Sequence, residues 1–186
     1  MMTKRRKGIL WGLWVLVVLC SLTACSSKSE GQTGASPEEA MIHYLSEERQ
    51  TQVAQEELET MIFGSFQRGK EDRQYYLLKD HQDIGGEASY CAYILKVTPE
   101  RDDSYRCEKV AADVGMGAVD AQKSAAEGER SAGWEFPVDD FRIYIGRILD
   151  SEYQPYFEGK KLQTDAEGFF FYHTTEEDTE PEFRYR

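Results

Sequence analysis

The chain has 186 residues, with 22 Lys and Arg against 34 Asp and Glu, and is too short for an ordinary (β/α)₈ barrel or a two-lobed solute receptor, which need roughly 250 residues or more. Four of the bases, Lys4, Arg5, Arg6 and Lys7, lie in the first 24 residues, which hold no acid, so the chain from Cys25 onward carries 18 bases against 34 acids and a formal charge of −16 rather than −12. That acidity argues against a nucleic-acid binder, because phosphate neutralisation needs a basic face; one domain is the expectation.

The basic cluster 4–7 is followed by an apolar run from Ile9 to Cys20 and then by Ser21, Leu22, Thr23, Ala24 and Cys25. In order, these are the basic region, short apolar region and small-residue cleavage site of a secretory signal. A spanning helix needs about 20 mostly apolar residues and anchoring flanks, and this segment offers neither. Leu22-Thr23-Ala24-Cys25 resembles the lipobox of bacterial lipoproteins. The resemblance implies cleavage before Cys25, a diacylglyceryl group on its thiol as the only bound group, and a mature protein held on the extracytoplasmic face of the cell membrane. At about 0.8 kcal/mol per buried CH₂, two acyl chains hold a soluble domain stably. The next stretch, 25–36, reads as the lipidated cysteine and a flexible polar tether spanning roughly 20 Å.

Leu, Ile, Val and Phe total 29 of the 162 residues from Cys25 onward, about 18%, a composition close to that of disordered chains. Eleven Tyr and strand-like clustering of the apolar residues point instead to a thinly cored domain, 37–186, whose interior relies on aromatic side chains. Ser36-Pro37-Glu38-Glu39 has the capping-box arrangement, so a helix is expected from Pro37 to about Glu48, with Met41, Tyr44 and Leu45 on its apolar stripe. Residues 58–66 fit either helix or strand; helix to about Glu57 and strand after it is preferred. Arg73–Lys79 and Ser89–Thr98 read as strands, with Asp80–Glu87 as the loop between them. In the second, Cys91, Tyr93, Leu95 and Val97 share a face at period two. A turn at 99–103 returns the chain antiparallel to Ala111. Residues 112–133, rich in Ala, Gly and charge, read as a mobile loop or as one that holds a short helix around Ala118 to Ala126. Phe141, Ile143 and Ile145 alternate and Gly146 shifts the phase, which suggests a β-bulge. Segments 153–157, 160–164 and 169–174 complete a meander. The expected fold is α+β: an N-terminal amphipathic helix packed on an antiparallel sheet or meander in a single domain.

The stretch SPEEAM and the run from Trp134 through FRIYIGRILDSEY to FEGKKL are similar to segments of small surface lipoproteins of Gram-positive bacteria. This resemblance implies an envelope location and transfers no active site.

Chemistry-bearing residues are sparse. Cys91 and Cys107 are either a disulfide closing a loop of about 15 residues, worth roughly 3 kcal/mol, or two buried thiols. If Pro99 faces Ser104, Cys107 lies opposite Lys96, beyond the Cα separation of roughly 6 Å that a bridge needs from Cys91. His43 shares a helix face with Glu39 and Glu47, yet no HExxH or cysteine cluster supports a metal there. Neither 80–87 nor 176–182 matches a calcium loop. Asp139-Asp140 is an adjacent pair of a kind expected by chance in so acidic a chain. Serine-hydrolase, P-loop and dinucleotide motifs are missing. Phe169-Phe170-Phe171-Tyr172 puts two aromatics on each face of a strand. Either both faces are buried, one of them under the amino-terminal helix, or Phe170 and Tyr172 form an exposed patch with Tyr153 or Tyr156. The expected function is a non-catalytic binding module for an envelope protein, a peptide or a small ligand. The alternatives are an envelope hydrolase using His43, His81 or His173, and a cone-shaped ligand-binding fold of the cystatin or nuclear-transport-factor type.

Overall fold

The computed structural model describes residues 31–68, 72–84, 87–118, 131–176 and 180–185, with the backbone alone for 82–84, 87–89 and 112–118. Helix α1 (Pro37–Arg49) starts as its sequence dictates: the Ser36 hydroxyl accepts from the Glu39 N–H at 3.1 Å, and the Glu39 carboxylate reaches back to the Ala35 N–H at 2.7 Å. Both bonds satisfy donors that the first turn leaves orphaned. The helix stops at Gln50, whose φ of 54° is left-handed. Helix α2 (Gln55–Met61) runs one turn further than the sequence suggested, then passes directly into β2 (Ile62–Gln67).

A five-stranded antiparallel sheet follows. Its order is β1 (Gln32–Gly34), β5 (Tyr105–Ala118), β4 (Glu87–Pro99), β3 (Gln74–Ile84), β2. Strand β1 lies within the stretch read as tether: Gln32 pairs with Cys107 and Gly34 with Tyr105. Gly34 fits because a Cβ there would lie 2.4 Å from the backbone nitrogen of Ala40. Strands β3 and β4 continue into the expected 80–87 loop, and β5 runs to Ala118, inside the expected 112–133 loop; residues 119–130 lie outside the described residues.

Central strand β4 is buried on both faces, with opposite parities facing opposite layers. Tyr93, Leu95 and Val97 pack under the helices with Met41, Tyr44, Leu45, Leu58 and Met61. Tyr90, Ala92 and Ile94 face the other way, onto a three-stranded sheet of order β10 (Phe169–Thr174), β7 (Phe141–Ile148), β6 (Ser131–Val138). That inner sheet contributes Phe136, Phe141, Ile143, Ile145 and Phe169. Its far side is covered by a third sheet, β11 (Glu182–Tyr185), β8 (Tyr153–Phe157), β9 (Lys160–Lys161): Phe157 stacks on Tyr172 at 3.9 Å between centroids, and Phe183 meets Phe170 edge-on at 6.2 Å.

The α+β expectation is therefore corrected. The described residues form a β-rich fold of three sheets, with two helices of 13 and 7 residues covering one face of the largest. The physical reason is the distribution of aromatics: at period two they fill two sheet-to-sheet interfaces, and the helix is a cover on a third layer. Among the described residues Tyr75, Phe66, Phe141, Phe169 and Phe171 fill the space between the first two sheets, where a cone-shaped fold would hold its ligand.

The β-bulge expected at Gly146 is also corrected. Strand β7 pairs without a register shift on both sides, through Gly133↔Gly146 and Phe170↔Gly146. The apparent phase change arises because Arg147, not an apolar residue, continues the inward set, while Ile148 belongs to the outward one. Gly146 is needed for space: a Cβ would lie 2.3 Å from the Phe170 ring. Gly146→Ala is expected to lower stability by about 1–3 kcal/mol through overpacking, read as a lower urea midpoint with an unchanged slope; an unaffected midpoint would show that the ring has room to move.

Candidate functional site

The proposed aromatic patch does not exist as a surface. Phe170 and Tyr172 are 1% and 5% exposed; both faces of the aromatic strand are buried, the outward one under β8 and β11 rather than under the helix. Tyr153 and Tyr156 are half-buried on β8, where Tyr153 packs against Tyr185 and Tyr156 lies under the Arg184 guanidinium at 4.5 Å.

The candidate disulfide is corrected as well. Cys91 and Cys107 are both buried and not bridged to each other. Cys107 sits opposite Val97, six residues along β4 from Cys91, which itself pairs with Gly115. Burial pushes the Cys107 thiol far above its ordinary value, so neither thiolate chemistry nor a bridge is served by this placement.

The three histidines stand on different elements. His43, on α1, donates through Nδ1 to the Thr33 carbonyl at 2.7 Å and ties the helix to β1. Its helix neighbours are also engaged, Glu39 at the cap and Glu47 with the Gln32 amide. His81, on β3, meets Tyr90 edge-on. His173, on β10, stacks on Phe66 at 4.4 Å; partial burial and the nearby Arg68 cation hold its pKa below the ordinary histidine value. Among the described residues no group of three His, Cys, Asp or Glu could hold a metal ion.

Carboxylates serve as clamps. Asp139-Asp140 is the two-residue β6–β7 turn, with Asp139 at φ 50°. Asp139 accepts from the Tyr75 phenol at 2.9 Å and faces Arg73 and Lys96 at 3.7 and 3.9 Å. Burial, then this hydrogen bond, pushes the Tyr75 phenol up to about 12. Asp80 pairs with Arg49 at 2.6 Å.

A denser network closes the end of the first interface. Lys79 on β3 binds Asp165 and, at 2.5 Å, Glu167, both in the turn before β10. Glu167 also accepts from the Tyr90 hydroxyl at 2.8 Å. Asp165 in turn accepts from the backbone N–H groups of Glu167 and Phe169. Burial works to raise the Glu167 pKa, but hydrogen bonds from Lys79 and Tyr90 outweigh it and hold the carboxyl low. Arg147 is 6% exposed and lies over the Tyr90 ring at 4.6 Å; its Nε donates to the Glu167 carbonyl at 3.2 Å while Nη1 has no partner among the described residues. Every other member is paired, so the network fastens a turn to a sheet.

One concavity among the described residues is a cleft of about 320 Å³ at one end of the five-stranded sheet; a wider and more open hollow of about 640 Å³ lies beside Gln154 and residues 161–164. The antiparallel register builds it: Gln67 of β2 pairs with Gln74 of β3, which pairs with Val97 of β4, so the three side chains form a row on the helix-side face. Helix α1 begins at Pro37 and leaves this end of the sheet uncovered. Pro99 and Tyr105, themselves paired, form the far wall, and Asp72, at φ 49°, the near one. Tyr76 donates to the Gln74 Oε1 at 2.6 Å, which fixes that amide and leaves its NH₂ free to face the cleft. No hydrogen bond or ion pair engages the side chains of Gln67, Asp72 or Tyr105 among the described residues. Sequence reading passed over all four polar residues. Gln67, Asp72 and Gln74 belong to one hairpin, β2–β3, but Tyr105 and Val97 come from the next one, and only the pairing of Gln74 with Val97 and of Pro99 with Tyr105 brings the two hairpins together. Leu22, Thr23, Ala24 and Cys25 lie outside the described residues.

No family model, no curated protein and no solved structure matches the chain.

Replacing Lys79 by Met is expected to leave the Asp165 and Glu167 carboxylates without their shared cation and to cost about 1–3 kcal/mol. Arg147→Met, which keeps the stem and removes the orphaned donor, should cost less. A carboxyl with a lowered folded pKa contributes stability that is complete above the ordinary glutamate value of 4.5 and lost as pH falls through the lower folded value. The urea midpoints of wild type and Lys79→Met should therefore separate at neutral pH and converge in acid; a constant gap would exclude this linkage.

Proposed function

We propose that the protein is a lipid-anchored lipoprotein of the extracytoplasmic face of the cell membrane, acting as a non-catalytic binding module of the envelope. The observation that carries this reading is Leu22-Thr23-Ala24-Cys25 at the end of a basic and then apolar segment. The charge distribution supports it: a mature chain with 18 bases and 34 acids from Cys25 onward is repelled by an anionic bilayer surface and gains residence there from acyl chains on Cys25, its only covalent group in this reading. Among the described residues no helix is long and apolar enough to cross a membrane.

The position of β1 shortens the tether. In this reading residues 26–31 alone separate Cys25 from the first strand, a reach of at most about 24 Å if fully extended. The dispersal of His43, His81 and His173 gives a hydrolase no constellation to work with among the described residues, and the cleft supplies the binding reading with a place to act. Metabolic palmitate labelling of wild type and Cys25→Ala in a bacterial host tests the anchor. Label on the wild type alone, with globomycin causing the unprocessed form to accumulate, is expected; equal labelling of the two would end the proposal.

A further inference from the structure

We infer that the cleft between the start of α1 and the β2–β3 and β4–β5 hairpins is a binding site for a neutral saccharide, carried by Gln67, Asp72, Gln74 and Tyr105. This rests on the reading of the protein as an envelope binding module and names the ligand class of its cleft.

The chemistry of the walls selects the class. None of the described residues lining the cleft is a cation, so among them a phosphate, a carboxylate or an anionic glycan would meet the Asp72 carboxylate without an opposite charge. The groups present are amides, a phenol and one carboxylate. A sugar hydroxyl donates and accepts at one atom, and so does this set: the Gln67 amide offers both functions, the Gln74 NH₂ donates because its oxygen is taken by Tyr76, Asp72 accepts, and the Tyr105 hydroxyl does either. The apolar portion, the Tyr105 ring with Pro37, Val97 and Pro99, suits the C–H face of a pyranose rather than a long aliphatic chain.

Two further observations favour a sugar over a peptide. The cleft lies on the face of the sheet, and β3, β4 and β5, which carry Gln74, Val97, Pro99 and Tyr105, have hydrogen-bonded neighbours on both sides, so a peptide could add as a strand only along the outer edge of β2, away from those side chains. Its volume of about 320 Å³ is also at the small end for ligand pockets, which run from about 300 to 1,000 Å³.

The test applies the full chain, lipidated and detergent-solubilised, to an array of neutral oligosaccharides, anionic oligosaccharides and unmodified peptides. Retention on neutral saccharides is expected, weakened about tenfold by Gln67→Ala, which removes a hydrogen bond to the ligand, and by Asp72→Asn, which keeps an acceptor but removes its charge assistance. Both positions are exposed, and Asn tolerates the left-handed backbone of residue 72, so folding is preserved; unchanged circular dichroism of each variant confirms it. Cys25→Ala is expected to bind the array as the wild type does, which separates failure of the anchor from failure of the site. Retention on peptides or anionic glycans alone, no retention on any neutral saccharide, or retention indifferent to both cleft substitutions would overturn the inference.

Discussion

The aromatic run Phe169–Tyr172 of strand β10 packs against a different layer on each face, and the rest of the structure is arranged around that. Phe169 and Phe171 point to the five-stranded sheet, where Phe63, Phe66 and Tyr90 receive them. Phe170 and Tyr172 point the other way, onto Tyr144, Phe157 and Phe183. Burying such a ring is worth about 1.5–3 kcal/mol, so this one strand joins two interfaces and offsets the shortage of Leu, Ile and Val. A chain this poor in aliphatics needs two layers meeting on one aromatic strand to close a core. The edge of the inner sheet then has to be held, and the turn before β10 is held by Lys79, Glu167 and Asp165.

The same geometry explains where binding chemistry is available. Layers on both sides of the inner sheet consume its side chains, and the helices consume most of the remaining face of the large sheet. Where α1 begins, that face runs past its cover and leaves Gln67 and Gln74 in a row beside Val97. The cleft is thus a by-product of a sheet longer than the 13-residue helix that covers it, furnished with side chains that no other layer engages.

Legibility in the sequence followed the range of the interactions. The Ser36 cap and the first helix were readable because every bond involved lies within four residues. So was the period-two face of Tyr93, Leu95 and Val97. The third sheet was not: nothing in Tyr153–Phe157 or Glu182–Tyr185 says that these short strands pair with each other, and without them the second aromatic face of β10 reads equally as an exposed patch. Gly146 misled because a glycine that makes room for a ring and a glycine that kinks a strand look alike in one dimension. The disulfide alternative turned on strand register, where one residue of slip changes the facing partner from Lys96 to Val97 without bringing Cys91 nearer. The cleft depends on the same register across three strands, so no local pattern foreshadowed it.

The central claim, that the inner sheet is the stable heart of the domain and α1 a cover, is tested most directly by native-state amide hydrogen exchange on the full chain. Backbone amides of Phe141–Ile148, bonded into strands on both sides, should exchange only by global unfolding, while those of Pro37–Arg49 open at a lower free energy. Helix amides that outlast those of the central inner strand would contradict the account and restore the helix as the organising element.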